Sequence, residues 1–379
     1  MPKLEYLALG DNGLSGDLPS FSGSPNLKQV ALDSNSFTGS VDAFNDCTKL
    51  TALFLQHNKF TGPIDDTVFA KLRLHQLDIS SNKLTGSFPE HWYKFHVVDL
   101  HKNQLDGSLP DITSSSYHIE FLSLYENNFS GSIPDTIGFL SRLVHLDLSY
   151  NMFSGKLTTA FNQLVNLEYL FLHRNNFEAG PLPKWHHLTK LKELCMKGTN
   201  LKESIPSWIG NSLLDLVLLD LHDNDLEGPI PESMGYLSNL RFLFLNDNKL
   251  NETLPDSFSD LQELSKCRFF FLATCSSVYR LPFLTPLFIF FSAGMLVIDN
   301  NDLTGTDDAV CGENKIQTLT YMPGDCDKID CTCCSTCCNE PGAVCNLEMS
   351  PNLDDTYERT QYIFSENLKF DAVFGEPEG

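Results

Sequence analysis

Eight of the twelve cysteines are crowded into one segment near the end of the chain, and they are the residues with the clearest chemistry. They are Cys311, Cys326, Cys331, Cys333, Cys334, Cys337, Cys338 and Cys345. An even number of cysteines in a segment with little apolar content predicts disulfides that take the place of a hydrophobic core. Their pairing stays open, because eight cysteines allow on the order of a hundred connectivities.

A metal-thiolate site is the alternative for these cysteines, since Cys331 to Cys338 form the pattern C-x-C-C-x-x-C-C. Zinc sites usually place two C-x-x-C pairs on either side of a longer loop. The sequence offers no such second pair and no histidine beyond Cys311. A thioredoxin-like role for Cys334 and Cys337 would need a surrounding β-α-β unit, which the sequence does not predict. We therefore expect no bound metal and no cofactor.

Enzymatic activity and nucleic-acid binding are both disfavoured by the sequence. It contains no G-x-S-x-G elbow, no Walker loop, no H-E-x-x-H and no kinase pair of H-R-D with D-F-G. The net charge is −23, from 49 acidic and 26 basic residues, so the phosphates of a nucleic acid would be repelled. A basic partner, or simply high solubility, agrees better with this charge.

An asparagine recurs about every 24 residues and marks a repeat that runs along most of the chain. The repeated phrase is L-x-x-L-x-L-x-x-N-x-L-x-G-x-I-P, as in residues 216–231. The repeated asparagines are Asn12, Asn35, Asn58, Asn82, Asn103, Asn127, Asn151, Asn175, Asn224, Asn248 and Asn301, and Thr199 occupies the rung that lacks one. A period of this length with this phrase predicts an α/β solenoid of leucine-rich repeats.

Each column of the repeat has a physical role in this predicted superhelix. Alternate leucines point inward from a short strand, and the strands of successive rungs form a parallel sheet on the concave side. The asparagine amide can donate and accept hydrogen bonds, so it can satisfy backbone groups where the chain leaves the strand. The glycine column allows unusual dihedral angles in the next turn. A short 3-10 or irregular segment, such as residues 135–140, is expected on the convex side.

The phrase L-x-G-x-I-P resembles the plant-type leucine-rich repeat, over about residues 4–266 and 296–305. That family includes the ectodomains of receptor-like kinases, receptor-like proteins and inhibitors of polygalacturonases. Its members usually carry a signal peptide and an N-terminal cap with paired cysteines. Neither pattern precedes the first full repeat at Leu4, so we expect the chain to be truncated at its N-terminus.

The step of 53 residues before Asn301 interrupts the repeat, and removing residues 267–295 restores the phase. This insertion has seven phenylalanines and no acidic residue. The perfect phase favours a translated intron. Residues 281–298 are 18 uncharged residues, near the lower limit for a transmembrane helix, but two prolines fall inside them. A loop or degenerate repeat is the third interpretation, and membrane contact stays open.

The sequence therefore predicts three regions. Residues 1–305 form a solenoid of about 12 repeats, broken only by the insertion. Residues 306–345 form a disulfide-rich cap on the exposed apolar end of the solenoid. Residues 346–379 form an acidic tail with several aromatic residues.

Binding chemistry is expected at the solvent-facing strand positions, which vary from rung to rung. Aromatic, histidine and arginine side chains concentrate there on the later rungs, and aromatic and arginine residues are favoured interface anchors. The predicted ligand-binding residues are Tyr125, Tyr150, Tyr169, Phe171, His173, Arg174, His222, Phe242 and Phe244. The alternative is ordinary strand propensity, because aromatic residues suit strands in any case.

Disulfides and two glycosylation sequons, at Asn128 and Asn251, indicate an extracellular or cell-surface protein. We expect a non-catalytic recognition module that binds a peptide or protein, which can be basic, on its concave face. The alternatives are a secreted inhibitor of a wall-degrading hydrolase, a structural matrix protein and a cytosolic scaffold.

The cap cysteines are predicted to be oxidised. Thiol labelling of the secreted, non-reduced protein should find no free thiol between Cys311 and Cys345, whereas the scattered cysteines, such as Cys47, can react after denaturation. Six or more free thiols in the cap segment would contradict both the cap and the extracellular location.

Overall fold

The computed structural model describes residues 1–64, 72, 74–89, 95–112, 118–261, 295–298, 301–303, 305–306 and 329–330. These residues fall into two compact units, one at residues 1–153 and one that begins at residue 154. Both units are built from the same rung: a short strand, a tight turn, a second short strand and a return segment.

The main sheet of the first unit contains seven parallel strands, one from each rung. They are β1 (Tyr6–Ala8), β3 (Gln29–Ala31), β5 (Ala52–Phe54), β7 (Gln76–Asp78), β9 (Val97–Asp99), β11 (Phe121–Ser123) and β13 (His145–Asp147). The register is constant, so that Leu53 of β5 lies opposite Leu77 of β7, which lies opposite Val98 of β9. Each strand has only three residues, because the chain must turn back within one rung.

The main sheet of the second unit contains five strands of the same kind among the described residues. They are β15 (Tyr169–Phe171), β16 (Glu193–Cys195), β18 (Leu218–Asp220), β20 (Phe242–Phe244) and β22 (Met295–Val297). The register is again constant, with Leu170 opposite Leu194, Leu194 opposite Leu219 and Leu219 opposite Leu243.

A second set of short parallel strands follows the turn in most rungs. In the first unit they are β2 (Ser15–Asp17), β4 (Ser36–Thr38), β6 (Thr61–Pro63), β8 (Lys83–Ser87), β10 (Gln104–Gly107) and β12 (Asn128–Ser132), and β14 (Met152–Ser154) joins the same sheet as β12. In the second unit they are β17 (Lys202–Glu203), β19 (Asp225–Gly228), β21 (Lys249–Glu252) and β23 (Asp302–Leu303), and β24 (Gly305–Thr306) pairs with β25 (Ile329–Asp330).

Among the described return segments, five contain a single 3-10 turn and one contains a five-residue α-helix at Trp208–Ser212. The 3-10 turns are Val41–Phe44, Asp135–Phe139, Thr159–Gln163, Glu232–Tyr236 and Asp256–Asp260. Three of them start after a proline in extended conformation, and each turn buries an apolar side chain such as Met234. The predicted fold class, a leucine-rich-repeat solenoid with a parallel sheet and short return turns, is confirmed.

The repeated asparagines form the predicted hydrogen-bond ladder, as Asn127 illustrates. Its Nδ2 donates to the carbonyls of Leu124 and Tyr125 in its own rung, at 3.1 and 3.3 Å, and of Leu100 in the preceding rung, at 3.0 Å. Its Oδ1 accepts the Leu105 N–H at 3.0 Å. One buried amide therefore satisfies four backbone groups in two adjacent rungs.

The residue before each repeated asparagine has a left-handed backbone. These residues are Asp11, Ser34, His57, Ser81, Lys102, Glu126, Tyr150, Arg174, Asp223 and Asp247, and Gly198 precedes Thr199. Bulky side chains rarely adopt positive φ, yet Tyr150 has φ 50° and Arg174 has φ 55°. The turn itself imposes this conformation, since it recurs whatever the side chain. The glycine column is also left-handed, and two of its exceptions, Glu203 and Glu252, have φ 67° and 68°.

The rung resumes beyond the insertion. Met295, Leu296 and Val297 of β22 lie opposite the three residues of β20. Asn301 closes the ladder, because its Nδ2 donates to Leu245 O at 3.0 Å and its Oδ1 accepts the Leu250 N–H at 2.9 Å. The sequence phase assigned Met295 to the insertion, whereas the structure includes it in the strand.

Most of the predicted insertion, the predicted cap and the predicted tail lie outside the described residues. Residues 267–294, the eight cap cysteines and the tail 346–379 are not among them, and only Ile329–Asp330 represents the predicted cap. Within the described part of the chain, no helix has the length and apolar character needed to cross a membrane.

Replacing Asn127 with alanine should lower the free energy of unfolding by about 2–4 kcal/mol, because buried backbone groups lose their partners. Urea unfolding of the non-glycosylated protein measures this loss. Asn128 is the matched control, since it is exposed and outside the ladder, and Asn128→Ala should change stability by less than about 0.5 kcal/mol. Equal losses in the two variants would contradict a stabilising ladder.

Candidate functional site

The outer face of the main sheet consists of the strand residues that alternate with the inward leucines. Because successive side chains of a strand point to opposite faces, residues in register form straight rows across the rungs, about 4.8 Å apart. In the second unit one row contains Tyr169, Glu193, Leu218 and Phe242, and the next contains Phe171, Cys195, Asp220 and Phe244. These two rows form a largely apolar surface with two carboxyl groups in it.

Asp220 is held in place by the histidine two residues later. Its Oδ1 is 2.5 Å from His222 Nδ1 and accepts the His222 N–H at 3.1 Å, and Cys195 Sγ approaches its Oδ2 at 3.5 Å. Burial alone would raise the pKa of Asp220, but the hydrogen bonds and charge of His222 keep it below the ordinary value. The carboxylate therefore stays ionised. The Cys195 thiol therefore lies against this carboxylate.

Glu193 is the second carboxyl group of this face and has a different environment. Its register partners are Tyr169 on one side and Leu218 on the other. Among the described residues its Oε2 is buried without a hydrogen-bond partner. Burial raises the pKa of Glu193 to about 7, although the charge of Lys192 acts in the opposite direction.

Two ion pairs flank this face of the second unit. Lys192 Nζ is 2.6 Å from Glu168 Oε2, and it lies over the ring of Tyr169 at 6.0 Å from the centroid. Arg174 Nη1 is 3.2 Å from Asp223 Oδ2, and both side chains are about half exposed. Exposed pairs contribute little stability, so these charges remain available to a ligand at small cost.

In the first unit, aromatic and basic side chains gather around Tyr125. The ring of Tyr150 meets it edge-on at 5.4 Å, and the ring of His101 lies 6.1 Å away. Lys102 Nζ lies 5.5 Å from the centre of the same ring. This cluster is the counterpart, in the first unit, of the aromatic rows described above.

Three aspartates of the first unit are each contacted by the polar side chain two residues later in the sequence. Asp78 and Asp147 each accept a hydroxyl hydrogen bond from the serine two residues later, at 2.7 and 2.5 Å. Asp99 instead has His101 Nδ1 at 2.6 Å from its Oδ1. The aspartates of the D-L and D-I pairs are thus held by a side chain that follows their own strand, in agreement with a structural role.

Burial disfavours the charged forms of two residues on β13, His145 and Asp147. Burial lowers the pKa of His145 to about 3. Burial also raises the pKa of Asp147 to about 7, even though Ser149 donates to it. The His145 ring stacks on that of Phe121, with centroids 4.4 Å apart. An acid-base pair is not formed here, because both shifts disfavour charge.

The residues of the predicted ligand-binding stripe are divided between the two units. Tyr125 and Tyr150 lie in the first unit, and the other seven lie in the second. Tyr125, Phe171, His173 and Phe244 are buried, Tyr150, Tyr169, His222 and Phe242 are partly buried, and Arg174 is exposed. Four of the nine side chains of the stripe are therefore buried in the free chain, and whether the stripe binds a ligand stays a prediction. At rung spacing, large side chains cover one another, as Tyr125 is covered by its ring contacts.

Glu193 was missed by the sequence analysis. Glu193 occupies the same column as Tyr169 and Phe242, before the second leucine of the phrase, but only aromatic, histidine and arginine side chains were selected there. Comparing that column across the rungs would have shown a carboxyl group between Tyr169 and Leu218. Its environment could not be read from the column, because burial depends on neighbouring rungs.

The predicted modification sites are described only in part. Asn128 and Asn251 are both exposed, on β12 and β21, so their side chains are accessible. The described cysteines Cys47 and Cys195 are free thiols and buried, and burial raises the pKa of Cys47. The eight cysteines of the predicted cap lie outside the described residues. In the described part of the chain, no group of three or more His, Cys, Asp or Glu side chains could hold a metal ion.

Sequence comparison identifies the repeat. The family model of the leucine rich repeat matches residues 25–84, and a second model of the leucine rich repeat matches residues 118–140, 142–164, 215–237 and 239–261. A probable LRR receptor-like serine/threonine-protein kinase of Arabidopsis thaliana is 36% identical over 62 residues, which are 16% of this chain and 6% of that protein.

Solved structures with a similar fold include plant receptors. A TDR receptor has a TM-score of 0.70 at 26% identity, over 85% of this chain and 52% of its own. The Arabidopsis receptor kinase HAESA, in complex with the peptide hormone IDA and the co-receptor SERK1, has a TM-score of 0.59 at 25% identity, over 85% of this chain and 55% of its own. The chain thus spans about half the length of these receptor structures and a small part of the kinase.

The neutral form of His145 predicts a loss of stability in acid. An unfolded histidine titrates at about pH 6.5, so the unfolded chain binds more protons than the folded chain between that pH and about 3. Stability should therefore fall as pH drops below about 6.5, by about 2 kcal/mol at pH ~5 from this group. His145→Phe, which preserves a ring beside Phe121, should abolish this contribution when the free energies of urea unfolding at about pH 6.5 and at about pH 5 are compared.

Phe139, which is exposed in the same unit and carries no titratable group, provides the control for this experiment, since Phe139→Leu should leave the pH dependence as it is in the unchanged protein. The raised pKa of Asp147 acts with the opposite sign, since its proton stabilises the folded chain below about pH 7. Both variants retain Asp147, so its contribution cancels. An unchanged acid dependence in His145→Phe would overturn the assignment.

Proposed function

Because this chain is a leucine-rich-repeat protein, we propose that it is a non-catalytic recognition module that binds a peptide or protein on the outer face of its main sheet. The observation that supports this most directly is the pair of partly buried aromatic residues Tyr169 and Phe242, which lie in one row of the outer face of the second unit in constant register. Large rigid side chains on a sheet supply contact area at a low entropic cost. The backbone that carries them is fixed by the asparagine ladder.

The comparisons support the same class of partner. The HAESA structure contains a peptide hormone, and at 25% identity over 85% of this chain it is a relevant neighbour. The ligand of this chain is proposed to be basic, because the net charge is −23 and complementary charge accelerates association. The location is proposed to be the cell surface or the extracellular space, in agreement with the accessible sequons at Asn128 and Asn251.

Partial exposure decides which side chains can test this function. Phe171 is fully buried, so Phe171→Ala would reduce stability by about 3–5 kcal/mol and would confuse folding with binding. Tyr169 and Phe242 are only partly buried, and Arg174 is exposed, so their truncation tests contact with a ligand more directly.

Tyr169→Ala, Phe242→Ala and Arg174→Ala should each weaken ligand binding by about 1–3 kcal/mol, or roughly tenfold to a hundredfold in Kd. The ligand is first selected from a random peptide library on the purified protein, and affinities are then measured by calorimetry. Tyr236 is the matched control, because it is 61% exposed on a return turn of the same unit. A ligand that is lost in Tyr236→Ala but retained in the other three variants would place the site on the return turns.

A further inference from the structure

Glu193 is distinguished from the other acidic residues of the second unit by its surroundings. The exposed carboxylates there are paired or solvated, as Asp225 is with Lys249 at 2.6 Å. Asp220 on the outer face has His222. Glu193 lies on the same face, yet its Oε2 is buried without a hydrogen-bond partner among the described residues.

The cation next to Glu193 in the chain does not satisfy this oxygen. Lys192 Nζ is bound to Glu168 Oε2 at 2.6 Å and lies over the Tyr169 ring. A buried carboxyl oxygen without a partner costs free energy, and burial raises the pKa of Glu193 to about 7. The folded protein thus retains an unfavourable group at a partly exposed position of its outer face.

We propose that Glu193 is the recognition carboxylate of a subsite that takes one basic side chain, lysine or arginine, of a peptide bound to the second unit. This inference rests on the proposed function and adds the specificity of one position. An ammonium or guanidinium group supplies the missing hydrogen bonds and neutralises the carboxylate at the same time. The ring of Tyr169 lies beside Glu193 in the same row, so the aliphatic part of the basic side chain can pack beside an aromatic residue.

The opposite ligand chemistry is disfavoured by the same surroundings. An acidic ligand group would meet Glu193 and the ionised Asp220 on one face, in a chain of net charge −23. A neutral ligand carbonyl could accept a hydrogen bond only from the protonated acid. Glu193→Gln distinguishes a basic ligand group from a neutral one, because glutamine donates hydrogen bonds but carries no charge to balance a cation.

The test selects binders from one random peptide library on the unchanged protein and on Glu193→Gln. Peptides selected on the unchanged protein should be enriched in lysine or arginine at one position, and this enrichment should disappear on Glu193→Gln. The best basic peptide should bind Glu193→Gln about tenfold to a hundredfold more weakly, the size expected for a lost charged hydrogen bond. Replacing its basic residue with norleucine should weaken binding to the unchanged protein equally and leave binding to Glu193→Gln nearly unchanged.

Glu227→Gln is the matched control, because Glu227 is an exposed glutamate on β19, away from the outer face. It should select and bind the same basic peptides as the unchanged protein. Thermal unfolding of both variants verifies that they are folded. If peptides bind through Tyr169 and Phe242 without a basic preference, or bind Glu193→Gln equally well, the Glu193 subsite is wrong and the recognition function stands. If no peptide depends on those aromatic residues, the proposed function itself fails.

Discussion

The buried asparagine amide is the interaction on which the rest of this structure depends. Each tight turn leaves backbone N–H and C=O groups that cannot reach one another, and the turn is possible because Asn127 and its equivalents satisfy them from the side. The amide joins two adjacent rungs, so it also fixes their spacing and register. The straight rows of side chains on the outer face follow from this regularity, because side chains at equivalent positions are placed at equal intervals.

Constant register has an electrostatic consequence as well as a geometric one. Side chains that would be solvated on an isolated strand are covered by those of the neighbouring rungs, and their charge states change. Burial lowers the pKa of His145 and raises that of Asp147, whereas the pKa of Asp220 is lowered because His222 contacts it. Residues with the same position in the repeat can therefore differ in charge, and the difference is set by the residue two places later in the chain.

The sequence phrase predicted the fold well because each column has a single local cause. The inward leucines, the left-handed glycines and the asparagine ladder depend only on the rung itself and its neighbours, and all were predicted. The burial of Phe171 and the isolation of Glu193 depend on which side chains lie beside them in adjacent rungs, and the phrase does not encode that. Met295 was assigned to the wrong side of the insertion boundary, since a hydrophobic residue suits either side.

The rung of Thr199 differs from the others in which side chain joins it to its predecessor. The hydroxyl donates to Met196 O at 2.7 Å and approaches Asn224 Oδ1 at 3.5 Å, but in the described residues it makes no hydrogen bond to the preceding rung. Asn200 supplies that connection, because its Nδ2 donates to Phe177 O of the preceding rung at 2.9 Å. In a structure where each repeat is coupled mainly to its neighbours, the coupling thus survives the loss of one asparagine when the next residue in the chain takes over its bond.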